Sequence, residues 1–162
     1  MRTSFSTGRG LALACVLVAA GTGIELASAH GDATGIVLER HTLMVELRDA
    51  SKVVGAMVRG KQTLDRDELA MNAKAMADLA TRLAGLFPDN EASRQGAGNS
   101  TRQKAWLEFT RFESLAEELA HHTSALAESA DSATTEQLLT RVRALGDTCK
   151  QCHKSYRRKK KH

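Results

Sequence analysis

Apolar positions recur by threes and fours along four stretches of this chain. In the first they are Ile36, Leu43, Leu47, Ala50, Val54 and Met57, with Arg40 occupying one slot of the same stripe. The second carries Leu69, Ala73, Met76, Ala80 and Leu83, and the third Phe109, Phe112, Ala116, Leu119 and Leu126. The fourth carries Leu138, Val142, Leu145, Cys149, Cys152 and Tyr156. Such spacing lays each set along one face of an α-helix, so four amphipathic helices are expected and no strands. Abundant alanine and scarce β-branched and aromatic residues agree with that reading.

The breaks between the stripes are equally legible. Gly60 ends the first helix, and Asp65 with Glu68 makes a capping box for the second. Phe87-Pro88-Asp89-Asn90, which holds the one proline, stops the second helix, and a polar loop through Gly96, Gly98 and Asn99 leads to the third. Ala130 to Thr134 is a short connection to the fourth. Four helices with mostly short connections predict an all-α, antiparallel up-down-up-down four-helix bundle.

The opening residues belong to a different kind of segment. Arg2 and Arg9 form a positive start, Leu11 to Ala20 is an apolar run of about ten residues, and Ala27-Ser28-Ala29 is an A-x-A cleavage pattern. Residues 1–29 therefore read as a secretory signal peptide, too short to span a membrane, and export to the periplasm follows. The part that remains, about 130 residues, suits one domain with one core, placed at 30–157. Without Arg2, Arg9 and Glu25 the balance is 21 Lys and Arg against 18 Asp and Glu. That excess is local. Residues 158–162 form a basic tail continuing from Arg157, either simply solvated or docking on an acidic redox partner protein or an anionic membrane surface, while stable membrane insertion and nucleic acid are not expected.

Removing the leader also removes Cys15, leaving two cysteines, both within Cys149-Lys150-Gln151-Cys152-His153. C-x-x-C-H is the attachment signature of a c-type haem, in which two thiols on one helix face add to the haem and the following imidazole turns to the iron. A dithiol redox pair would belong at a helix N-terminus, where the dipole lowers the thiol pKa, and this run lies near a helix end. A zinc site would need a second pair of ligands, and only the adjacent His121 and His122 are on offer. One covalent haem c is therefore the expected cofactor, bound near the C-terminus by Cys149 and Cys152 with His153 on the metal.

Bundle topology brings the start of the first helix, the end of the second, the start of the third and the end of the fourth together. At a rise of about 1.5 Å per residue, His121, His122, Met57, Met71 and Met76 lie too far from that end to reach the iron. His41 and Met44 are left, with Trp106 and Phe87 as aromatic walls. Met44 shares a face with Arg40 at i,i+4 and with Val37 at i,i+7, whereas His41 points a quarter-turn or more aside. Packing and ligation are both open to a methionine so placed. Arg40 is either a snorkelling surface cation or a partner for a haem propionate.

With these residues in view, the chain resembles the cytochromes c′ and their low-spin relatives of the cytochrome c-556 type, across essentially the whole mature part. The most specific likeness is Cys149 to His153 followed by Tyr156-Arg157. The first helix, with Arg40, Leu43-Met44 and Gly55 to Gly60, is similar to that family's helix A, and Trp106 stands where many members have a Trp. The resemblance implies that Cys149 and Cys152 hold the haem, that His153 is the proximal ligand, that Arg157 lies beside the proximal face and that Arg40 faces a propionate. It also implies that Met44 closes the sixth position, as in the c-556 type, where gas-binding cytochromes c′ carry an apolar residue. The Leu86 to Asp89 loop is likewise similar to the c-556 type, while His41 departs from a common Gln.

Two functions follow. A His/Met-ligated haem would carry single electrons, because closed coordination keeps the two oxidation states alike. An open, five-coordinate haem would bind gas ligands such as nitric oxide or carbon monoxide. Met44 favours the carrier. The residues contain no nucleophile and base pair of the kind hydrolysis or transfer needs, so an enzyme is not expected. Monomer and homodimer both stay open, since many relatives pair through their first two helices.

Overall fold

The computed structural model describes residues 33–159, so the expected leader and the last three residues of the basic tail lie outside the described residues. Four long helices, α1 (Gly35–Val58), α2 (Arg66–Leu83), α5 (Phe109–Glu128) and α6 (Thr135–Tyr156), form the bundle. Two short ones, α3 (Glu91–Gln95) and α4 (Lys104–Leu107), lie between α2 and α5. Among the described residues there is no strand, only an isolated bridge between Thr101 and Arg157. The all-α bundle is as the stripes predict. Leu43, Met57, Leu69, Met76, Leu126 and Leu138 are fully buried along its axis.

Chain order makes each long helix antiparallel to the next. The α1–α2, α2–α5 and α5–α6 seams are extensively packed, whereas α6 touches α1 far less. That fourth seam is where space for a ligand lies.

The end of the bundle away from this space is finished by local devices. Gly60, at φ 68°, takes the left-handed conformation that closes α1: its N–H donates to Met57 O at 3.0 Å and the Lys61 N–H to Ala56 O at 2.9 Å. Asp65 caps α2 by accepting from the Glu68 N–H at 2.9 Å, which is one arm of the expected box. A complete box stands at α6, where Thr134 Oγ1 accepts from the Gln137 N–H at 3.3 Å and Gln137 Oε1 accepts from the Thr134 N–H at 2.8 Å. Arg66 donates to the carbonyls of Ala130 and Ala133 and so ties the two turns together.

The connection between the second and third long helices holds more structure than a polar loop. A 3₁₀ turn, Ala84–Leu86, extends α2, and Asn90 caps α3 by accepting from the Ser93 N–H at 2.9 Å. Helix α4 stops at Glu108, whose φ of −118° and ψ of 41° interrupt what the pattern reads as one helix. On a continuous helix, positions 106 and 112 would face about 120° apart. With the break, Trp106 and Phe112 are both buried.

Candidate functional site

Every aromatic residue beyond the leader sits at one end of the bundle. Phe87 lies 4.5 Å from Phe112 and 6.0 Å from Trp106, ring centre to ring centre, and Phe112 lies 5.4 Å from Tyr156. Phe109 completes the row at 6.0 Å from Phe112. This row joins the end of α2, the starts of α4 and α5 and the end of α6, the convergence the topology predicts.

Arg40 enters the same end from α1 and is only 4% exposed. Its guanidinium lies over Phe87 at 4.7 Å and Trp106 at 5.6 Å. Nη2 donates to Ser93 O at 2.6 Å and to Ser93 Oγ at 3.1 Å, and Nε to Ile36 O at 3.3 Å. Nη1 has longer contacts, 3.4 Å to Thr101 Oγ1 and 3.5 Å to Asn99 Oδ1. Among the described residues none of these partners is a carboxylate. Burial lowers the Arg40 pKa, yet a guanidinium starts so high that it stays charged. The result is a buried cation without a counter-charge, which favours an anion brought by a ligand.

A cavity of about 540 Å³ opens beside it, in the loose seam between α1 and α6. One wall is α1, with Arg40, His41, Met44 and Arg48, and the other is α6, with Cys152, His153, Tyr156 and Arg157. Phe87 and Phe112 close the inner end, and Gly98, Ser100 and Thr101 of the connecting loop close the outer one. A second cavity of about 260 Å³ continues down the seam past Leu47, Met76, Leu119 and Cys149. Met44, Arg48, Cys152 and His153 line both. No group of three or more His, Cys, Asp and Glu side chains among the described residues is arranged to hold a metal ion.

The thiols are unlike those of a redox dithiol. Burial raises the Cys149 pKa, and burial together with the neighbouring Cys149 pushes Cys152 up to about 11. His153 is exposed at the cavity face, but surrounding protein atoms and the Arg157 cation hold its pKa below the usual imidazole value. Two protonated thiols and a neutral imidazole suit thioether attachment and metal ligation. A flat, mostly apolar group with an anionic edge fits these walls: thiols and imidazole on α6, a thioether on α1, and the uncompensated Arg40 at one end.

Most of the expected site residues thus come together, with three differences. Trp106 does not line either cavity; it stands one layer behind Phe87, donates Nε1–H to Pro88 O at 3.2 Å, and covers Arg40. His41, a cofactor-side candidate expected to point aside from Met44, lines the larger cavity together with it. Met76, set aside on distance, forms the buried floor of the smaller cavity, because the open seam runs further down the bundle than one helix end. Arg48, Ser93, Thr101 and Thr148 were missed. Arg48 follows Met44 by four as Arg40 precedes it by four, a signal that could have found it; the others depend on contacts between distant segments.

A helical bundle whose one loose seam receives a Cys-x-x-Cys-His run is the arrangement of a bundle-type c-type cytochrome. The family model described as Cytochrome C' matches residues 35–157, and the chain belongs to that family. It is similar to a cytochrome c' of Pararhodospirillum photometricum, 32% identical over 67% of this chain and 85% of that one. A cytochrome c-556 of Agrobacterium fabrum is 28% identical over 79% of this chain and 84% of that one. Among solved structures, cytochrome c' from Rhodopseudomonas palustris superposes with a TM-score of 0.71, at 25% identity over 79% of this chain and 99% of that one. As a member of this family the protein binds one covalent haem c and is an electron-carrying or gas-binding cytochrome.

Proposed function

We propose that this protein carries single electrons in the periplasm, through a haem attached by Cys149 and Cys152 and ligated by His153 and Met44. The observation that carries the reading is that Met44 on α1 and His153 on α6 line the same two cavities from opposite walls. Bound there, the haem supplies a one-electron couple, and the thioether favours its reduced state. The chain's own residues do the rest: α6 fixes and orients the group, Phe87 and Phe112 exclude water, and Arg40 and Arg157 favour its anionic edge. Export after cleavage at Ala29 belongs to the same reading.

Absorption spectra of both oxidation states test it. A low-spin reduced form, a near-infrared sulfur-to-iron band in the oxidised form and slow carbon monoxide binding are expected. Met44→Ala should then give high-spin iron, fast carbon monoxide binding and a lower potential. A wild type that is already high-spin and takes up carbon monoxide readily would replace the carrier with the second reading, a gas-binding cytochrome. One observation favours that alternative: Met44 is only half-buried, so the larger cavity leaves room beside its sulfur.

The cations at the end of α6 support docking on an acidic redox partner. The Arg158 N–H donates to Ser100 O at 2.8 Å, so the deletion that tests the tail spares this residue. Deleting residues 159–162 should leave spectrum and fold unchanged and slow electron transfer to an acidic partner at low salt. Equal rates at every ionic strength would make the tail a bystander.

A further inference from the structure

Leu119 of α5 forms part of the wall of the smaller cavity, and the residue before it, Glu118, reaches across to α6. Glu118 Oε1 accepts a hydrogen bond from Thr148 Oγ1 at 3.0 Å and lies 3.4 Å from His122 Nε2. Thr148 is 3% exposed, lines that cavity and precedes Cys149. A longer contact, 3.4 Å, joins its hydroxyl to Ala144 O. The cavity wall, a buried hydroxyl, a carboxylate and an imidazole therefore form one chain from the cleft to the surface. Nothing that attaches or ligates the haem uses the last three.

Among the described residues no Asp or Glu lines either cavity. Glu118 is a half-exposed carboxylate held one hydrogen bond behind the wall. A negative charge near a redox centre favours its more positive, oxidised state, the more so where water screens it less, and a positive charge on the adjacent imidazole cancels that preference. Histidine is the side chain whose charge ordinarily changes between about pH 5 and 8. On α5 the ring of His121 lies 5.8 Å from that of His122. On α6 Asp147 is held by Lys150 at 3.0 Å, and across the cleft on α1 Arg48 and Lys52 are held by Asp49 at 2.9 and 3.4 Å. From α2 only Met76 and Leu83 reach the smaller cavity.

We infer that Glu118, positioned by Thr148, sets the reduction potential of the cleft and that His122 makes it depend on pH. When a donor protein delivers one electron, His122 binds a proton from solvent more tightly, and oxidation loosens it again. The inference rests on the electron-carrier reading and adds a proton to it.

The test is a spectroelectrochemical titration of the holoprotein between pH 5 and 8. In the wild type the potential should fall as pH rises. E118Q should raise the ferrous to ferric ratio at a fixed applied potential by about fivefold, the low end of ordinary coupling between sites, and move the pH-dependent step, because His122 loses its carboxylate. H122Q should flatten the profile at the wild type's high-pH level. T148V, which frees the carboxylate, should move the potential in the E118Q direction by less. E117Q removes the same charge from the neighbouring position, which does not meet Thr148, and should do little. By reciprocity, the His122 imidazole resonances should titrate at different pH in the ferric and ferrous proteins. A reversible couple with a flat wild-type profile, or an E117Q shift as large as that of E118Q, overturns this inference alone. A protein with no attached haem overturns it together with the carrier reading.

Discussion

The two ends of the bundle are built by different means. At the far end, each turn is closed by residues a few positions apart, Gly60 with Met57, Asp65 with Glu68, Thr134 with Gln137, and Arg66 adds a long-range tie to Ala130 and Ala133. At the cleft end, the decisive contacts span the chain. Arg40 holds Ser93, Arg102 N–H donates to Tyr156 O at 2.8 Å, and the Tyr156 hydroxyl donates to Glu108 Oε2 at 3.3 Å. Local closure makes a turn that forms by itself. Long-range closure makes a pocket whose shape depends on several segments at once, which is what a bound group requires and what a single substitution can disturb.

The sharpest way to break this contrast is a pair of core truncations. Phe112→Ala removes the ring at the centre of the aromatic row and should cost about 3–5 kcal/mol, with altered spin state or ligand access because the ring also lines the cavity. Leu126→Ala, at a fully buried position near the far end, should cost about 2–5 kcal/mol and leave the haem spectrum as it was. Urea unfolding followed by both helix content and haem absorbance separates the two. Equal spectral changes in both variants would mean that the ends are not independent.

A smaller effect is expected from the two arginines. Arg40→Met strands the Ser93 carbonyl and hydroxyl in a buried place, at a cost of about 1–3 kcal/mol for each unsatisfied group, and should loosen the 93–101 loop. Arg66→Met frees the carbonyls of Ala130 and Ala133, which are also buried residues, and should cost about 1–3 kcal/mol. Hydrogen exchange of the loop amides reports which end opens. Faster exchange at the cleft end in Arg66→Met would undo the distinction.

The gentlest test is pH, applied to the haem-free polypeptide. Cys152 has its folded pKa raised to about 11, so the stability it contributes is present below the ordinary thiol range and lost as pH rises through about 11. His153 works in the opposite sense: its lowered pKa makes the unfolded chain bind the proton more readily, so stability is lost as pH falls below the ordinary imidazole range. Cys152→Ala should flatten the alkaline limb and leave the acid one. Among the described residues the far end has no buried thiol or imidazole to contribute, and an unchanged alkaline limb in Cys152→Ala would remove this cause.

How much of this could be read from the chain follows the same division. Period and caps are local, so the four stripes gave the four long helices, and Gly60 and Asp65 marked their turns. Cys149, Cys152 and His153 were legible because one helix presents all three, and Met44 because it shares a face with Arg40. The split at Glu108, helices α3 and α4, the place of Trp106 behind the wall and the neutral cage around Arg40 were not legible, since each depends on segments dozens of residues apart meeting in space. By itself the sequence determined an exported-looking helical bundle with a haem attachment run, because periodicity and motif spacing act within one helix. Only the tertiary structure decided that α1 and α6 part to leave a cleft, that Met44 and His153 line it from opposite walls, and that Glu118 stands behind Thr148, because these are relations between helices that no spacing along one of them encodes.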